Sequence, residues 1–549
     1  MISPFISKRE LARAWQIVRV IGRYGLAPLV QETGVGRFLG VHLWRRIERR
    51  YLDIPPPVRL RLALIELGTT FIKLGQVLSA RSDLLPPEYL HELSSLQDEI
   101  PPLPFAKIEP VFRKEFGCSP HDAYPEFDST PIASASIGQA YRAVMRSGEE
   151  VVVKIQRPGV EEQVNTDLSL VRRVAQFIHR NPAVARFDLP SLVREFSAIL
   201  QDELLYTLEA HNAETLAREM ADHPKIGVPT VFWQYTTRRV ITTQYIHGMK
   251  VTDLAALDDA GVDRKEIAVL LSNGLLEQIL LHGLFHGDPH PGNLLVTPDG
   301  RLFFLDTGMV GRLDRKMREL LVELAVSIFD QDIDAVLEHL QQLGVVMVAG
   351  QMPDLRRDLA QLITKYYFLP RKELRLGQLL QRVNFLLFEH EIRMAYEFGL
   401  MAKALFIVEG VAQELDADFD YNLTARPVID AVRRQYYSWK SLYEDSVREW
   451  RGIRREMVEM PRRMSALLRQ IEVGEFRLHV HDDSQDTRLA HNNLLVNRVI
   501  ITLLTLGILF AATFLLALHP GATLHYFAIV MLAVDGVLMV ILLIALLRS

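Results

Sequence analysis

The stretch His286-Gly287-Asp288-Pro289-His290-Pro291-Gly292-Asn293, followed thirteen residues later by Asp306 in Phe304-Leu305-Asp306-Thr307-Gly308, narrows the possible folds more than any other part of the chain. An aspartate able to accept a hydroxyl proton stands five residues before an asparagine whose amide oxygen can hold a metal. A second aspartate then closes an apolar strand. Phosphoryl transfer uses such a trio, because a magnesium–nucleotide complex presents hard oxygens, takes oxygen ligands and needs an oriented base for the acceptor. Asp288 is the candidate base, and Asn293 and Asp306 are the candidate Mg2+ ligands. His286 and His290 are expected to brace the loop by hydrogen bonds. A zinc site is disfavoured, since Cys118 is the only cysteine and no His-x-x-x-His helix occurs.

A catalytic half of this kind needs a nucleotide-binding half upstream, and the texture of the chain changes from Ser129 to supply one. The small-residue run Ala133-Ser134-Ala135-Ser136-Ile137-Gly138 leads into alternating positions, Gly148 makes a turn, and Val151-Val152-Val153-Lys154-Ile155-Gln156 is a β-branched strand. Lys154 stands where a strand lysine reaches the α and β phosphates of ATP or ADP. The Ala133–Gly138 run occupies the place of a glycine-rich phosphate loop; alanine and serine restrict φ there, so a stiffer loop with altered nucleotide preference is expected. Helices are expected from about Val160 to Arg180 and from Leu189 to Met220. On the second of these, Glu203 and Glu209 would lie about 240° apart around the axis. One is left for Lys154 and the other for something else. Val228 to Tyr245 reads as two strands joined at Thr236–Arg239, and Gln244 to Ile246 as the interlobe link that meets adenine. Residues 312–470 read as successive helices. The fold class is α+β and bilobal, with a mostly β small lobe, a mostly α large lobe and the site in the cleft between them.

Upstream, Val58 to Ala80 carries apolar residues at helical spacing, ended by Pro86-Pro87, and a further helix is expected around Phe105 to Phe116. The expected divisions are a helical extension over residues 1–125, a small lobe over 126–248, a large lobe with juxtamembrane region over 249–490, and 491–549. The last is different in kind. Val499 to Leu518 is uncharged, and after His519-Pro520-Gly521-Ala522 a second run, Leu524 to Leu547, is broken only by Asp535. About 20 apolar residues cross a bilayer core, so a hairpin of two membrane-spanning helices is expected. Arg498 and Arg548 flank it and its tip lacks Lys and Arg, which puts both ends on the cytoplasmic side. Asp535 is expected to face a helix partner, water or another subunit, permitting a homodimer. Residues 431–470 hold ten Lys and Arg against five Asp and Glu, interleaved with Tyr436, Tyr437, Trp439 and Trp450. That segment either rests on anionic lipid or is a solvated helix face. A net charge of −5 gives no basic field for nucleic acid, and the N-terminus lacks the pattern of a signal peptide.

Lys73-Leu74-Gly75-Gln76 adds a motif outside the kinase-like core, with Lys73 and Gln76 on one helix face. Together with the alanine-rich loop, Val151 to Val160 and Phe285 to Gly311, it resembles the UbiB (AarF/ADCK) family of atypical protein kinase-like proteins, whose signature is K-x-G-Q. The resemblance spans residues 58–315, and the two-span tail is similar to that of bacterial members, which implies an inner-membrane location. It implies a K-x-G-Q helix lying over the cleft where a peptide would bind. Lys73, Gly75 and Gln76 would then be regulatory, with Lys73 pairing a carboxylate such as Glu203 or Asp306. It also implies ATPase activity stimulated by membrane or quinone-precursor-like ligands, in support of isoprenoid quinone biosynthesis and its enzymes. Three departures stand out. The family's E-x-D reads Glu203-Leu204-Leu205, its Asp-Phe-Gly reads Asp306-Thr307-Gly308, and its interlobe acid is Gln244. Two other readings remain: a small-molecule phosphotransferase of the aminoglycoside or choline kinase type, and a non-catalytic nucleotide-binding membrane scaffold.

Overall fold

The computed structural model describes residues 7–26, 54–81, 84–96, 101–180, 188–343, 352–368, 376–390, 392 and 395–436. The expected hairpin over 499–547 and most of the basic–aromatic segment lie outside them. Among the described residues no helix is long and apolar enough to cross a membrane.

The described residues upstream of the first sheet are mostly helical. Helix α1 (Lys8–Arg23) starts from a reciprocal Ser7/Glu10 capping box, which satisfies two amide donors at its open end. The periodic segment expected as one helix is two, α2 (Pro56–Leu67) and α3 (Thr69–Ser79). The break is Gly68, at φ +89°, a conformation that side-chain-bearing residues rarely adopt. Apolar spacing ran through the break because both helices bury a face. Helix α4 (Pro87–Ser94) closes this layer around Leu64, Leu67, Phe71 and Leu93.

After α5 (Phe105–Phe116) and the short α6 (Pro120–Ala123) come β1 (Glu126–Phe127), β2 (Ala133–Ser134), β3 (Gly138–Val144) and β4 (Glu150–Gln156). Side chains alternate across β4. Val151, Val153 and Ile155 are fully buried against Ile108 and Phe112 of α5, and Lys154 is thereby turned to the opposite face. Burying each such side chain contributes about 2 kcal/mol, so the packing that fixes the strand also fixes where the lysine points.

Helix α7 (Val160–Ile178) follows, and the expected Leu189–Met220 helix divides into α8 (Leu189–Glu203) and α9 (Tyr206–Glu219). The junction is Leu204-Leu205, with Leu205 extended at φ −105°, ψ 90°. Next come β5 (Ile226–Gly227), β6 (Val240–Gln244) and β7 (Met249–Lys250). The expected hairpin over 228–245 is corrected: only β6 is a full strand, and Val231 makes a single bridge to Thr243. A one-turn helix at Trp233–Tyr235 interrupts the first arm. The first sheet is antiparallel in the order β1-β3-β4-β6, with β2 also on β3.

Helices α10 (Leu254–Asp259) and α11 (Arg264–Glu277) open the large lobe, and β8 (Leu284–His286), β9 (Leu294–Val296), β10 (Leu302–Phe304) and β11 (Val310–Arg312) carry the motif region. The second sheet has the order β5-β10-β9-β7, and β8 pairs with β11. Strand β5 falls in the range expected for the small lobe yet pairs parallel with β10, so the lobes share chain rather than dividing cleanly at 248. Helices α12 (Arg315–Phe329), α13 (Ile333–Gln342), α14 (Met352–Phe368), α15 (Leu376–Glu389), α16 (Tyr396–Leu415) and α17 (Tyr421–Tyr436) complete the lobe. Helix α16 buries Leu400, Ala404, Leu405, Val408 and Ala412 and runs through the core.

Candidate nucleotide site

Three strand–loop units deliver the motif residues to one place. Strands β9 and β10 pair with Leu294 opposite Phe304, and the Leu305 amide donates to the Asn293 carbonyl at 2.9 Å. The hairpin therefore brings Asn293 and Asp306, thirteen residues apart, to one end. The Asn293 amide nitrogen donates to the Asp288 carbonyl at 3.2 Å, which leaves its amide oxygen for a ligand.

Lys154 reaches this end from β4. Its Nζ donates to Glu209 Oε1 and Oε2 at 2.9 and 3.1 Å and to Asp306 Oδ2 at 3.0 Å. One ammonium thus faces two carboxylates, and the acids share it unequally. Burial would lower Lys154, but Asp306 and Glu209 outweigh it and hold the ammonium well above its usual range. Packing around Asp306 would raise its carboxyl, yet Lys154, the Gly308 amide and Lys73 hold it well below the usual carboxylate range. Burial pushes Glu209 up to about 7 against the pull of Lys154, with Asp306 adding to the rise. Asp306 is accordingly the ionised metal-binding candidate, and Glu209 the positioning partner.

Lys73 on α3 is buried and pairs with Glu203, the last residue of α8. Because the chain breaks at Leu204-Leu205, the two glutamates belong to different helices and serve different lysines. The expected division of labour holds, while the continuous helix from which it was argued does not. Gly75 has a packing role: a Cβ there would collide with Leu96 and Leu64, so α3 sits tight on its neighbours. Gln76 Nε2 donates to the Leu96 carbonyl at 3.1 Å and ties the same layer. These two residues help hold α3 in place, and Lys73 pairs with the Glu203 carboxylate.

The alanine-rich run departs from a free phosphate loop. Ala133 and Ser134 are strand β2, paired with Ala140 and Gln139. The Ala135 carbonyl accepts from Arg157 Nε at 2.9 Å, the Ile137 carbonyl accepts the Arg157 amide at 2.8 Å, and the Ser136 carbonyl accepts Thr69 Oγ1 at 2.8 Å. The loop is thereby anchored to the helix that carries Lys73. Gly138 is needed for close approach, since a Cβ would collide with Tyr206 Oη. That hydroxyl is buried without a hydrogen-bond partner among the described residues, and the Tyr206 ring lies 5.2 Å from Lys154 Nζ.

The loop around Asp288 is braced as expected. His286 Nδ1 accepts the Asp288 amide at 3.2 Å, and His290 Nδ1 accepts the Gly292 amide at 3.0 Å. Burial pushes the His286 imidazole down to about 4, so it is neutral and acts as an acceptor. Asp288 Oδ1 lies 3.1 Å from Lys403 Nζ of α16. Burial would raise the Asp288 carboxyl, but Lys403, His290 and His286 hold it below its ordinary value. Gln244 is exposed at the end of β6 and Ile246 is buried at the link, and the Gln244 and Tyr245 amides donate to the Thr230 and Glu150 carbonyls at 2.8 and 2.9 Å.

Thr307, in the place of an aromatic, is buried and polar-tethered. Its hydroxyl donates to the Glu209 carbonyl at 2.9 Å, and its own carbonyl accepts Asn212 Nδ2 at 3.2 Å. The turn bearing Asp306 is thus bonded to α9. Sequence reasoning missed Asn212, Tyr206 and Lys403. Lys403 had a readable signal, a lone cation within Gly399-Leu400-Met401-Ala402-Lys403-Ala404-Leu405. Among the described residues no three His, Cys, Asp or Glu side chains are grouped to hold a metal. Asn293 with Asp306 does fit Mg2+, which binds through one or two protein oxygens together with phosphates.

Residues 95–340 match the ABC1 atypical kinase-like domain and residues 359–420 the UbiB helical domain. The uncharacterized Synechocystis protein sll1770 is 31% identical over 83% of this chain and 79% of its own length. The chloroplastic protein ACTIVITY OF BC1 COMPLEX KINASE 8 of Arabidopsis thaliana is 32% identical, over 77% of this chain and 61% of that protein. A probable protein kinase UbiB from Xanthomonas campestris is 30% identical over 93% of this chain and 95% of its own. With a kinase-like lysine–glutamate–aspartate cluster and a Lys73 helix set beside it, the chain belongs to the UbiB/ABC1 family of atypical kinase-like proteins.

Proposed function

We propose that the chain is a membrane-anchored ATPase of the atypical kinase type. It would bind a magnesium nucleotide in the cleft and use hydrolysis to present lipid-like precursors to isoprenoid quinone-biosynthesis enzymes. The observation that carries the reading is the pairing of two lysines with two glutamates at one cleft, Lys154 with Glu209 and Lys73 with Glu203. In this reading Lys154 releases Asp306 and turns to the α and β phosphates. Asp306 and Asn293 would hold Mg2+, which supplies charge neutralisation to the phosphates. Asp288 would orient the attacking water.

Lys73 supports hydrolysis over phosphorylation of proteins in trans. Helix α3 is fixed by Glu203, Thr69 and Gly75 beside the carboxylates, where an incoming peptide would approach. The two apolar runs at 499–518 and 524–547 support the anchor, and the quinone connection rests on the resemblance of the K-x-G-Q and catalytic-loop motifs to the UbiB family. A homodimer through Asp535 is compatible with this arrangement.

The test is full-length protein in anionic vesicles with γ-labelled ATP. Labelled phosphate released without a labelled acceptor, and lost in Asp306→Asn, is the expected result. Turnover only with a small hydroxyl compound would instead make the protein a small-molecule phosphotransferase. Binding without turnover would make it a nucleotide-responsive scaffold.

A further inference from the structure

One face of α16, outside the segment that carries the kinase-like motifs, forms a wall of the site. Tyr396, Gly399, Leu400 and Lys403 are spaced i, i+3, i+4 and i+7 and so lie on one stripe of the helix. Gly399 has no room for a Cβ, which would collide with the Ala80 carbonyl oxygen at the end of α3. One residue on, Leu400 packs against the catalytic loop so closely that a Cβ at Gly287 would lie 2.8 Å from its Cδ2. The helix is therefore seated between the Lys73 helix and the Asp288 loop. Lys403, two turns from Tyr396, has a side chain 7% exposed that ends 3.1 Å from Asp288 Oδ1. The Tyr396 hydroxyl is buried and has no hydrogen-bond partner among the described residues.

We infer that Lys403 is a catalytic residue of this site, contributed by the helical domain, and that its ammonium contacts the γ-phosphoryl group as that group moves to water. The inference rests on the nucleotide reading above. A water held by Asp288 sits about 3 Å from the carboxylate, and the phosphorus it attacks is about 3–3.5 Å beyond. In that arrangement a cation already at Asp288 Oδ1 stands beside the attacking water and so near the phosphoryl oxygens, where charge develops. Burial of a lone lysine in an apolar helix is costly, and neutralising Asp288 alone requires no flexible four-carbon stem entering from another domain. The Tyr396 hydroxyl, on the same stripe, is a second free donor on the wall. In the step, the water oxygen bonds to the γ-phosphorus as the bond to the bridging oxygen of ADP breaks. Inorganic phosphate carries the new oxygen, and the water proton passes through Asp288 to solvent or to phosphate.

The experiment compares full-length wild type, Lys403→Met and Lys403→Arg in MgATP hydrolysis. It also measures binding of MgADP and of MgADP with aluminium fluoride, which mimics the moving phosphoryl group. Removing one preorganised donor of this kind lowers kcat about 10²–10³-fold. The expected result is that loss with KM within about threefold, at least about tenfold recovery in Lys403→Arg, and unchanged MgADP affinity. Affinity for the fluoroaluminate complex falls at least about tenfold. Lys403→Met leaves Asp288 without that cation and can misfold, so Asp288→Asn is also compared with Asp288→Asn/Lys403→Met. Between those two the fluoroaluminate affinity drops while MgADP affinity does not. Equal fluoroaluminate affinity within either pair, or a kcat untouched by Lys403→Met, overturns the assignment. If wild type binds nucleotide but does not hydrolyse it, the ATPase reading fails, and the fluoroaluminate comparison still decides Lys403. If it binds no magnesium nucleotide, both fall.

Discussion

Arg13→Met is the perturbation that best exposes how the Lys73 helix is held. Asp167 on α7 is fully buried and takes three donors: Arg13 Nε at 2.6 Å, Arg13 Nη2 at 2.9 Å and Thr70 Oγ1 at 2.7 Å. The same Arg13 Nη2 donates to the Leu67 carbonyl at 2.7 Å, capping α2 where the chain turns at Gly68. One guanidinium therefore joins α1, α2 and α7, and the shared carboxylate joins α3. Hydrogen bonds to charged groups contribute about 1.5–3 kcal/mol each, and stripping one partner from a buried ion pair costs about 3–5 kcal/mol. Thr70 still donates after the substitution, so the lower end, about 3 kcal/mol, is the expected loss. It falls on the α1–α3 layer, because among the described residues Arg13 makes no hydrogen bond to the large lobe. At about 1.4 kcal/mol per tenfold, amides of α1 and α3 should exchange with deuterium roughly 10²-fold faster. The hydrogen-exchange measurement reads both helices and, as an internal control, β4 and α11. Unchanged exchange in α1 and α3, or equal acceleration throughout the core, refutes the reasoning.

Three further outcomes are expected. Asp306→Asn abolishes magnesium-dependent nucleotide binding, since it removes the ionised ligand of the pair with Asn293; a thermal-shift titration with MgATP and MgADP should show no nucleotide stabilisation. His286 is neutral when folded, with its imidazole pushed down to about 4 from 6.5. The unfolded chain thus binds more protons between those values, and stability is present above about pH 6.5 and lost as pH falls toward 4, by about 3 kcal/mol in all. Denaturant titrations should show that acid loss in wild type and a flatter dependence in His286→Gln. Thr307→Val removes the hydroxyl bond to the Glu209 carbonyl, which keeps its helical amide partner within α9, and costs about 1 kcal/mol. It should lower the melting temperature and leave the melt of an Asp167→Asn protein further displaced, because the two sites are independent.

Lys154 was legible because strand alternation and a position after a small-residue loop both specify it. Asp288, Asn293 and Asp306 were legible because their chemistry is compressed into one short stretch. The Glu203/Glu209 assignment succeeded from a premise that failed: helical geometry forbids both from serving one lysine, but Leu205 had already separated them. The Val228–Tyr245 hairpin failed in its first arm, where only Val231 bridges Thr243, while Ile226–Gly227 just ahead of it pairs in the second sheet. Period-2 alternation carries no record of which strand a segment will pair with.

Sequence alone determined which side chains have the chemistry and how far apart they lie along the chain, since spacing and residue type are local properties. It also fixed the K-x-G-Q helix, whose glycine and glutamine turned out to anchor that helix to its neighbours. Only tertiary structure decided that Lys73 takes Glu203, that Lys154 bridges Glu209 and Asp306, and that Lys403 arrives at Asp288 from a helix more than a hundred residues downstream. Those pairings depend on how helices pack across the cleft, and packing is set by the summed burial of many apolar residues rather than by any motif.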